Sequence, residues 1–150
     1  MKNSLLLSIN IGLATSYFFA YYCHNQISEY TNDLSDELLI KYENIRKERM
    51  KHFYIGILIA IVISAIFYYK APEQISSFQK INIVLIVLLL LPMIVYKLLP
   101  KTDYMLKYTQ TEQDYKDWFD IYLCMKNKSV YGFLCGFSVS TMILNLMDVN

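Results

Sequence analysis

The sequence predicts an all-α, polytopic integral membrane protein with four transmembrane helices and two charged, amphipathic helical connections on one side of the membrane. Hydrophobic residues make up 55% of the 150 residues, and the mean hydropathy is +0.29. The apolar residues concentrate in four runs that contain no Asp, Glu, Lys, Arg or His: 5–22, 53–69, 81–96 and 130–147. Each run is close to the minimum length of a helix that crosses about 30 Å of hydrocarbon. We therefore predict a single membrane domain, 1–150.

A soluble helical bundle is the alternative to this fold class. A soluble surface helix confines its apolar residues to a stripe that is roughly 100° wide or a little more. The segment 83–91 is apolar at every position and offers no polar face to water. Lipid is the better solvent for such a segment, so we favour the membrane protein.

The first apolar run has some features of a cleaved signal peptide, namely a basic residue ahead of it, Lys2, and a small residue near its end, Ala20. Cleavage after Ala20 would place Phe18 where a small residue is preferred, and the apolar run continues to Tyr22. We therefore expect an uncleaved first span.

Charge is distributed unevenly along the chain, although the net charge is only +1. A chain without a strong basic field is not expected to bind nucleic acid. Eleven of the 14 Lys and Arg residues lie in the connections 23–52 and 97–129, and only Lys2, Lys70 and Lys80 lie elsewhere. The positive-inside rule then places both long connections in the cytosol and both termini on the non-cytosolic side.

Small residues recur every four positions in three of the four runs. In lipid there is no hydrophobic drive between helices, so small residues that let backbones approach closely stabilise helix pairs. We predict that spans one, two and four pack tightly, whereas the third span, which lacks such a ribbon, faces lipid more. The predicted packing residues are Ser8, Gly12, Ser16, Ala20, Gly56, Ala60, Ser64, Gly132, Gly136 and Ser140.

The first connection joins a polar loop, 26–35, to a charged helical pattern that runs without a break into the second apolar run. Ser35 is a candidate N-cap, and acidic residues follow it in the first turn. One helix over 36–69 would be roughly 50 Å long, so about half of it would stand outside the bilayer. The basic residues near the membrane, Arg46, Lys47, Arg49 and Lys51, suit anionic lipid or a partner, or merely fix the topology.

The second connection predicts a helix that begins at Thr102 and another that begins with a capping box at Thr111 and Asp114. Aromatic residues follow the box at helical spacing on one face: Tyr115, Trp118, Phe119 and Tyr122. Two interpretations stay open. Such a stripe is typical of a helix that lies at the lipid surface, and it is equally typical of a helix that contacts a partner or covers the end of the bundle.

No pattern in the sequence indicates catalysis or metal binding. Cys23, Cys124 and Cys135 form no CxxC pair, and the topology places them at the reducing side, so structural disulfides are not expected. His24 and His52 have no second ligand at helical spacing. We therefore predict no metal, no cofactor and no enzymatic activity.

Four stretches together resemble uncharacterised small multi-span membrane proteins of large nucleocytoplasmic DNA viruses. The stretches are Glu48-Arg49 leading into Tyr54-Ile55-Gly56, the segment 99–106, the segment 118–125, and Tyr131-Gly132-Phe133-Leu134. The resemblance implies a virion or host-derived membrane location without an assigned activity.

These observations predict a structural or scaffolding membrane protein that presents charged and aromatic cytosolic helices to a partner protein or a lipid surface. Its expected partners are the bilayer and a cytosolic or virion protein. The alternative is a small oligomeric channel, which would need a homo-oligomer. In either case polar residues within the spans matter, as interhelical hydrogen bonds or as a pore lining: Asn10, Thr15, Ser138, Thr141 and Asn145.

Overall fold

The computed structural model describes residues 2–32, 34–109 and 111–148, and these residues form five α-helices and one short 3-10 helix. The described residues contain no strand, which confirms the all-α class. The helices are α1 (Lys2–Tyr21), α2 (His24–Asn32), α3 (Asp36–Lys70), α4 (Ser77–Leu98) and α5 (Glu112–Asp148), and the 3-10 helix η1 spans Met105–Lys107.

Within the described part of the chain, three helices are long and apolar enough to cross a membrane: α1 from Asn3 to Tyr21, α3 and α4. They contain the predicted spans 5–22, 53–69 and 81–96, apart from Tyr22, which follows α1. The fourth run, 130–147, lies in the C-terminal half of α5, and its membrane crossing stays a prediction.

Two helices are much longer than a bilayer needs. Helix α3 has 35 residues and α5 has 37, which correspond to roughly 50 and 55 Å against a hydrocarbon core of about 30 Å. Helix α3 begins at Asp36, directly after Ser35, although the Ser35 side chain makes no capping hydrogen bond. The N-terminal halves of α3 and α5 lie together with α2 and η1. We call residues 24–52 and 99–129 the headpiece.

The main contacts between helices follow one order, from α3 to α4, from α4 to α1, and from α1 to α5. Helices α1 and α5 are antiparallel, because Ser16 lies beside Ser129 while Gly12 lies beside Phe133. Helices α3 and α4 form an antiparallel hairpin. The capping box of Ser76 and Gln79 closes this hairpin at the start of α4.

Small residues let α1 and α5 approach to backbone distance. A Cβ atom on Gly132 would lie 2.6 Å from the Thr15 carbonyl oxygen and 2.8 Å from the Phe19 Cβ. The Thr15 hydroxyl donates to the Gly132 carbonyl at 2.7 Å, and the hydroxyls of Ser16 and Ser129 lie 2.6 Å apart. A larger residue at position 132 would force the two helices apart.

The burial of α4 agrees with the expectation that the third span faces lipid more, but α4 also packs against other spans. Its apolar window has the smallest buried share, 11% against 28% in α1 and 17% in α3, yet α4 packs against both neighbours. Gly56 of α3 lies against Pro92 of α4, where a Cβ would be 2.7 Å from the Pro92 Cα. The prediction that the second span packs with the first and fourth is therefore wrong.

Polar side chains connect α1 with α4 inside the apolar region. The Asn10 amide donates to the Asn82 side-chain oxygen at 2.8 Å, and the Tyr17 hydroxyl donates to the Leu89 carbonyl at 2.7 Å. Thr141 donates only to its own helix, at the Phe137 carbonyl. Ser138 is exposed, and the side chain of Asn145 lies outside the described residues.

Two local predictions in the connections are wrong. The segment expected to be a polar loop contains α2, because Ile27 and Tyr30 pack into the headpiece and so stabilise a helix too short to form alone. No helix begins at Thr102, whose backbone N–H donates to Glu48 instead. The capping box at Thr111 and Asp114 is confirmed by two reciprocal hydrogen bonds of 3.1 Å each.

Replacing Gly132 with Ala tests the close approach of α1 and α5. We expect the free energy of unfolding to fall by about 1–3 kcal/mol, because the added methyl group meets backbone rather than a flexible side chain. Ser138→Ala is the matched control on an exposed position of the same helix. Unfolding in lipid bicelles measures both variants, and equal stability of Gly132→Ala and the parent would contradict the packing.

Candidate functional site

The headpiece has an aromatic core to which three helices each contribute one ring. Tyr30 of α2, Tyr42 of α3 and Trp118 of α5 have ring centroids 5.7 to 6.5 Å apart, at edge-on or tilted angles. Met105 of η1, which is 2% exposed, belongs to the buried cluster that Tyr42 forms with Ile45. This core holds α2 and η1 between the two long helices.

A polar latch fastens the segment after α4 to α3. The Arg49 guanidinium donates to the Asp103 carbonyl and lies 5.1 Å from the centre of the Tyr104 ring. The carboxylate of Glu48 accepts from the Thr102 N–H at 2.9 Å and lies 3.7 Å from Arg49. One turn of α3 therefore fixes three successive residues of the other connection.

Asp103 is the centre of a second set of hydrogen bonds. Its carboxylate accepts from the Tyr108 hydroxyl and from the Tyr104 N–H, and it pairs with Lys107 at 3.2 Å. The Tyr108 hydrogen bond is the largest of the effects that hold the pKa of Asp103 below its ordinary value. The same bond raises the pKa of the Tyr108 hydroxyl.

An open cleft of about 280 Å³ lies between these two sets of contacts. Its polar lining carries both signs of charge, because Lys41, Glu48 and Asp103 all line it. Among the described residues, no three His, Cys, Asp or Glu side chains form a group that could hold a metal ion. The predicted absence of cofactor and of enzymatic activity stays a prediction.

The predicted basic cluster is divided by the fold. Arg46, Lys47 and Lys51 are exposed, and Lys47 pairs with Glu43 at 3.5 Å. The Arg49 side chain is only 17% exposed, because the latch holds it. Three of the four predicted contact residues are therefore accessible, and Arg49 is a structural residue of the headpiece.

The predicted aromatic stripe is divided in the same way. Trp118 turns inward with Ile121, whereas Tyr115, Phe119 and Tyr122 are 49%, 42% and 52% exposed. The three outer rings stack along α5, with centroids 6.1 Å apart for the first pair and 6.5 Å for the second. We call these three residues the aromatic row.

The predicted packing residues lie where the helices meet. All ten are buried or half-buried, and Ala20 is half-buried near the end of α1. Gly12, Gly132 and Gly136 lie at the contact between α1 and α5, and Gly56 lies against α4. The buried members include Ser8, Gly12, Ser16, Gly56, Ala60, Ser64, Gly132 and Ser140, and Gly136 is half-buried.

A disulfide joins Cys23, in the turn after α1, to Cys124 of α5. The expectation that these residues form no structural disulfide is wrong. The antiparallel register of α1 and α5 brings together two residues that are 101 positions apart in the sequence, with 6.2 Å between their Cα atoms. Cys135 is a free, exposed cysteine.

Sequence reasoning missed part of the inner side of the headpiece, chiefly Tyr30, Met105 and Ile121. The signal for Tyr42 and Ile45 was present, because the two residues are three positions apart in a charged helix. The signal for Tyr30 and Met105 was weak, since each lies in a short element that only tertiary contacts order.

The chain was compared with protein-family models, curated proteins and solved structures, and none of them matches it. The resemblance to membrane proteins of large DNA viruses therefore stays a prediction. Function has to be inferred from the geometry of the headpiece and of the helices that carry it.

Trp118→Ala tests the aromatic core. We expect a loss of about 2–4 kcal/mol in the stability of the headpiece, because the truncation leaves a cavity between three helices. Faster hydrogen exchange in α2 measures the effect. Phe119→Ala, on the exposed side of the same turn, should leave exchange in α2 unchanged, and equal exchange in both variants would contradict the inward position of Trp118.

Tyr108→Phe tests the hydrogen bond to Asp103. We expect the pKa of the Asp103 carboxyl to rise toward its ordinary value of about 3.9, because the largest cause of its depression is removed. Carbon-13 NMR titration of the carboxyl group measures the pKa, with Tyr122→Phe as the matched control.

The sign of the stability effect follows from the same shift. A carboxyl group whose pKa is lowered by folding stabilises the fold above its unfolded pKa, and this contribution is lost as the pH falls through the folded pKa. The segment 102–109 should therefore lose protection from hydrogen exchange, relative to the intrinsic rate at each pH, on acidification below about pH 4, and the loss should be smaller in Tyr108→Phe. Equal pH profiles of the two proteins would count against the role of Asp103.

Proposed function

We propose that this protein is a structural or scaffolding integral membrane protein whose headpiece presents the aromatic row to a partner protein. The observation that carries the proposal is the division of the stripe on α5. Trp118 completes the core, whereas three stacked rings remain exposed on the outer face of the same helix. A rigid helix with its inner face fully packed is a suitable platform for recognition.

The proposal includes a fourth membrane crossing, by residues 130–147. The pairing of α5 with α1 supports it, because Gly12 and Thr15 of a helix apolar enough to span meet Phe133 and Gly132 of α5. A segment that packs along a membrane-spanning helix at the same depth meets the same solvent. Its backbone is hydrogen-bonded within the helix, as hydrocarbon requires.

The distance of the aromatic row from the membrane favours a protein partner over lipid. Helix α5 continues without interruption from the headpiece into the apolar run that starts at Val130. Eight residues separate Tyr122 from Val130, which is about 12 Å of helix, and Tyr115 lies about 22 Å away. The headgroup layer on each side is only about 5–8 Å thick. The rings therefore stand in water above the headgroups.

The bilayer itself is the second partner. Lys51 lies two residues before Phe53 at the start of the second apolar run, within about 3 Å of helix, so its amine reaches the headgroups. Arg46 and Lys47 lie one to two turns farther from the membrane. These two residues are available to a protein on the headpiece side.

The channel alternative receives less support. A pore between several copies needs polar side chains on an outward face of the membrane segments. Ser8, Asn10, Ser64 and Asn82 are instead buried within one chain, at 6% exposure or less. The Asn10 amide donates to the Asn82 side-chain oxygen, and the Asn82 amide donates to the Phe78 carbonyl. These side chains serve helix packing, which suits a scaffold.

The proposal holds for either orientation of the headpiece. The distribution of Lys and Arg favours a cytosolic headpiece and non-cytosolic termini, whereas the disulfide favours the opposite orientation. In both cases the aromatic row lies outside the bilayer on the side of α2 and η1. Orientation decides only the compartment in which the partner is found.

Combined replacement of Tyr115 and Phe119 with Ala tests the proposal. A photoreactive phenylalanine analogue at position 122 should crosslink one defined partner in the otherwise native chain, and the double variant should reduce that crosslink at least about tenfold. The matched control is Tyr69→Ala, which removes an 87% exposed ring at the opposite end of α3. Hydrogen exchange in α2 reports that the headpiece is intact.

An undiminished crosslink in the folded double variant would contradict the role of the row. Purified protein in liposomes provides the second readout, because a scaffold should conduct no ions. Ion conductance that depends on protein concentration would favour the channel instead.

A further inference from the structure

We infer that the bond between Cys23 and Cys124 is a native structural disulfide and that the headpiece faces an oxidising compartment, with both termini on the reducing side of the membrane. The inference concerns compartment and covalent state. It does not depend on the partner that the aromatic row binds, but the position of the C-terminus rests on the proposed fourth crossing.

The pairing of the two cysteines follows from the register of α1 and α5. Gly12 meets Phe133 and Ser16 meets Ser129, so the two chains run past each other in opposite directions. Seven residues beyond Ser16, the same register reaches the neighbourhood of Cys124. The Cα separation of 6.2 Å lies within the range of about 4.4–6.8 Å that a disulfide spans.

The burial of Cys23 distinguishes a structural bond from a reversible switch. Cys23 is 0% exposed, and Cys124 is half-buried. Thiol–disulfide exchange requires an attacking thiolate to reach a sulfur atom, so a covered disulfide is resistant to it. The bond also closes a loop of about 100 residues, which constrains the unfolded chain strongly.

The chemistry of formation identifies the compartment. The thiolate of one cysteine attacks the disulfide of an oxidant, such as an oxidised dithiol protein, and forms a mixed disulfide. The thiolate of the other cysteine then displaces the second thiol of the oxidant. The pair loses two electrons and two protons, and the oxidant leaves as a dithiol. This exchange goes to completion in oxidising compartments and is reversed in a reducing cytosol.

The Lys and Arg distribution gives the opposite orientation, and the disulfide takes precedence over it. Six of the eleven basic side chains on the headpiece side are already engaged within the chain, as ion pairs with acidic neighbours or as hydrogen bonds to backbone carbonyls. These residues are Lys41, Lys47, Arg49, Lys101, Lys107 and Lys116. The excess of Lys and Arg on one side is a statistical indicator of orientation. A buried disulfide, in contrast, requires that the chain folded in an oxidising compartment.

The glycosylation sequon Asn127-Lys128-Ser129 cannot report the orientation. It lies inside α5, directly before Val130, and the Ser129 hydroxyl is hydrogen-bonded to Ser16. A helical, membrane-adjacent sequon is not accessible as a surface loop would be. Asn127 should stay unmodified in either orientation, so cysteine chemistry is the better probe.

The number of free thiols reports directly whether the disulfide is present, because the chain has three cysteines. Cells are lysed in acid and denaturant, and free thiols are labelled with a polyethylene glycol maleimide that shifts the band on a gel. We expect one adduct, on Cys135, without reduction and three adducts after reduction. Cys124→Ser should give two adducts without reduction. Three adducts in the unreduced native chain would overturn the inference.

Orientation is measured with a matched pair of single cysteines in a Cys135→Ser background. Asn44→Cys reports the headpiece, and Gln74→Cys reports the opposite connection; both positions are exposed. In sealed microsomes, whose outer face is cytosolic, a membrane-impermeant maleimide should label Gln74→Cys at once and Asn44→Cys only after detergent.

The two measurements test the disulfide and the orientation separately. One adduct together with protected Asn44→Cys supports both parts of the inference. Labelling of Asn44→Cys in sealed microsomes would overturn the assigned compartment, even if the disulfide is present. Neither result depends on whether the aromatic row binds a partner, since both experiments measure only the labelling of cysteines in this chain.

Discussion

The close approach of α1 and α5 is the constraint on which the rest of the structure depends. Hydrocarbon gives helices no reason to associate through apolar area, so backbone contact and interhelical hydrogen bonds supply the association. Gly132 provides the contact, and the Thr15 hydroxyl bonds to its carbonyl. Because this contact fixes the register, it also determines that Cys23 faces Cys124 and that Trp118 points into the headpiece.

Two continuous helices connect the apolar region to the headpiece. Helices α3 and α5 continue without a break from their apolar halves into the headpiece, where the hydrophobic effect acts between side chains. There the small residues give way to an aromatic core in which Tyr42 and Trp118 pack with Tyr30 of the intervening helix. Helix α5 is thus held to α1 by backbone proximity at one end and to α2 and α3 by buried rings at the other.

Much of the fold could be predicted from the sequence, because its strongest signals are local. The single helix from Asp36 through the second apolar run and the capping box at Thr111 both follow from a few neighbouring residues. The small-residue ribbons indicated which helix faces pack, but such a ribbon does not predict which helix packs against it. Helix α3 pairs with α4, which has no ribbon, since Gly56 lets α3 approach the backbone of Pro92.

The remaining features depend on contacts between residues distant in the sequence. Helix α2 is short and polar, and only the burial of Tyr30 against α3 and α5 orders it. Helical spacing placed Trp118 and Phe119 on one broad face, and only the position of neighbouring helices divides that face. The disulfide could not be predicted for the same reason, and the topology rule based on charge predicted that its cysteines lie at the reducing side.

The disulfide also bears on how the aromatic row can act as a binding surface. Exposed apolar side chains that occur singly are ordinary on proteins, whereas a contiguous row on a rigid element is typical of an interaction site. Cys124 lies two residues after Tyr122, so the covalent bond to Cys23 restrains α5 next to the row. Trp118 restrains the same turns from the inside. The partner that we propose would therefore meet rings on a helix whose position is already fixed, which would lower the entropy lost on binding.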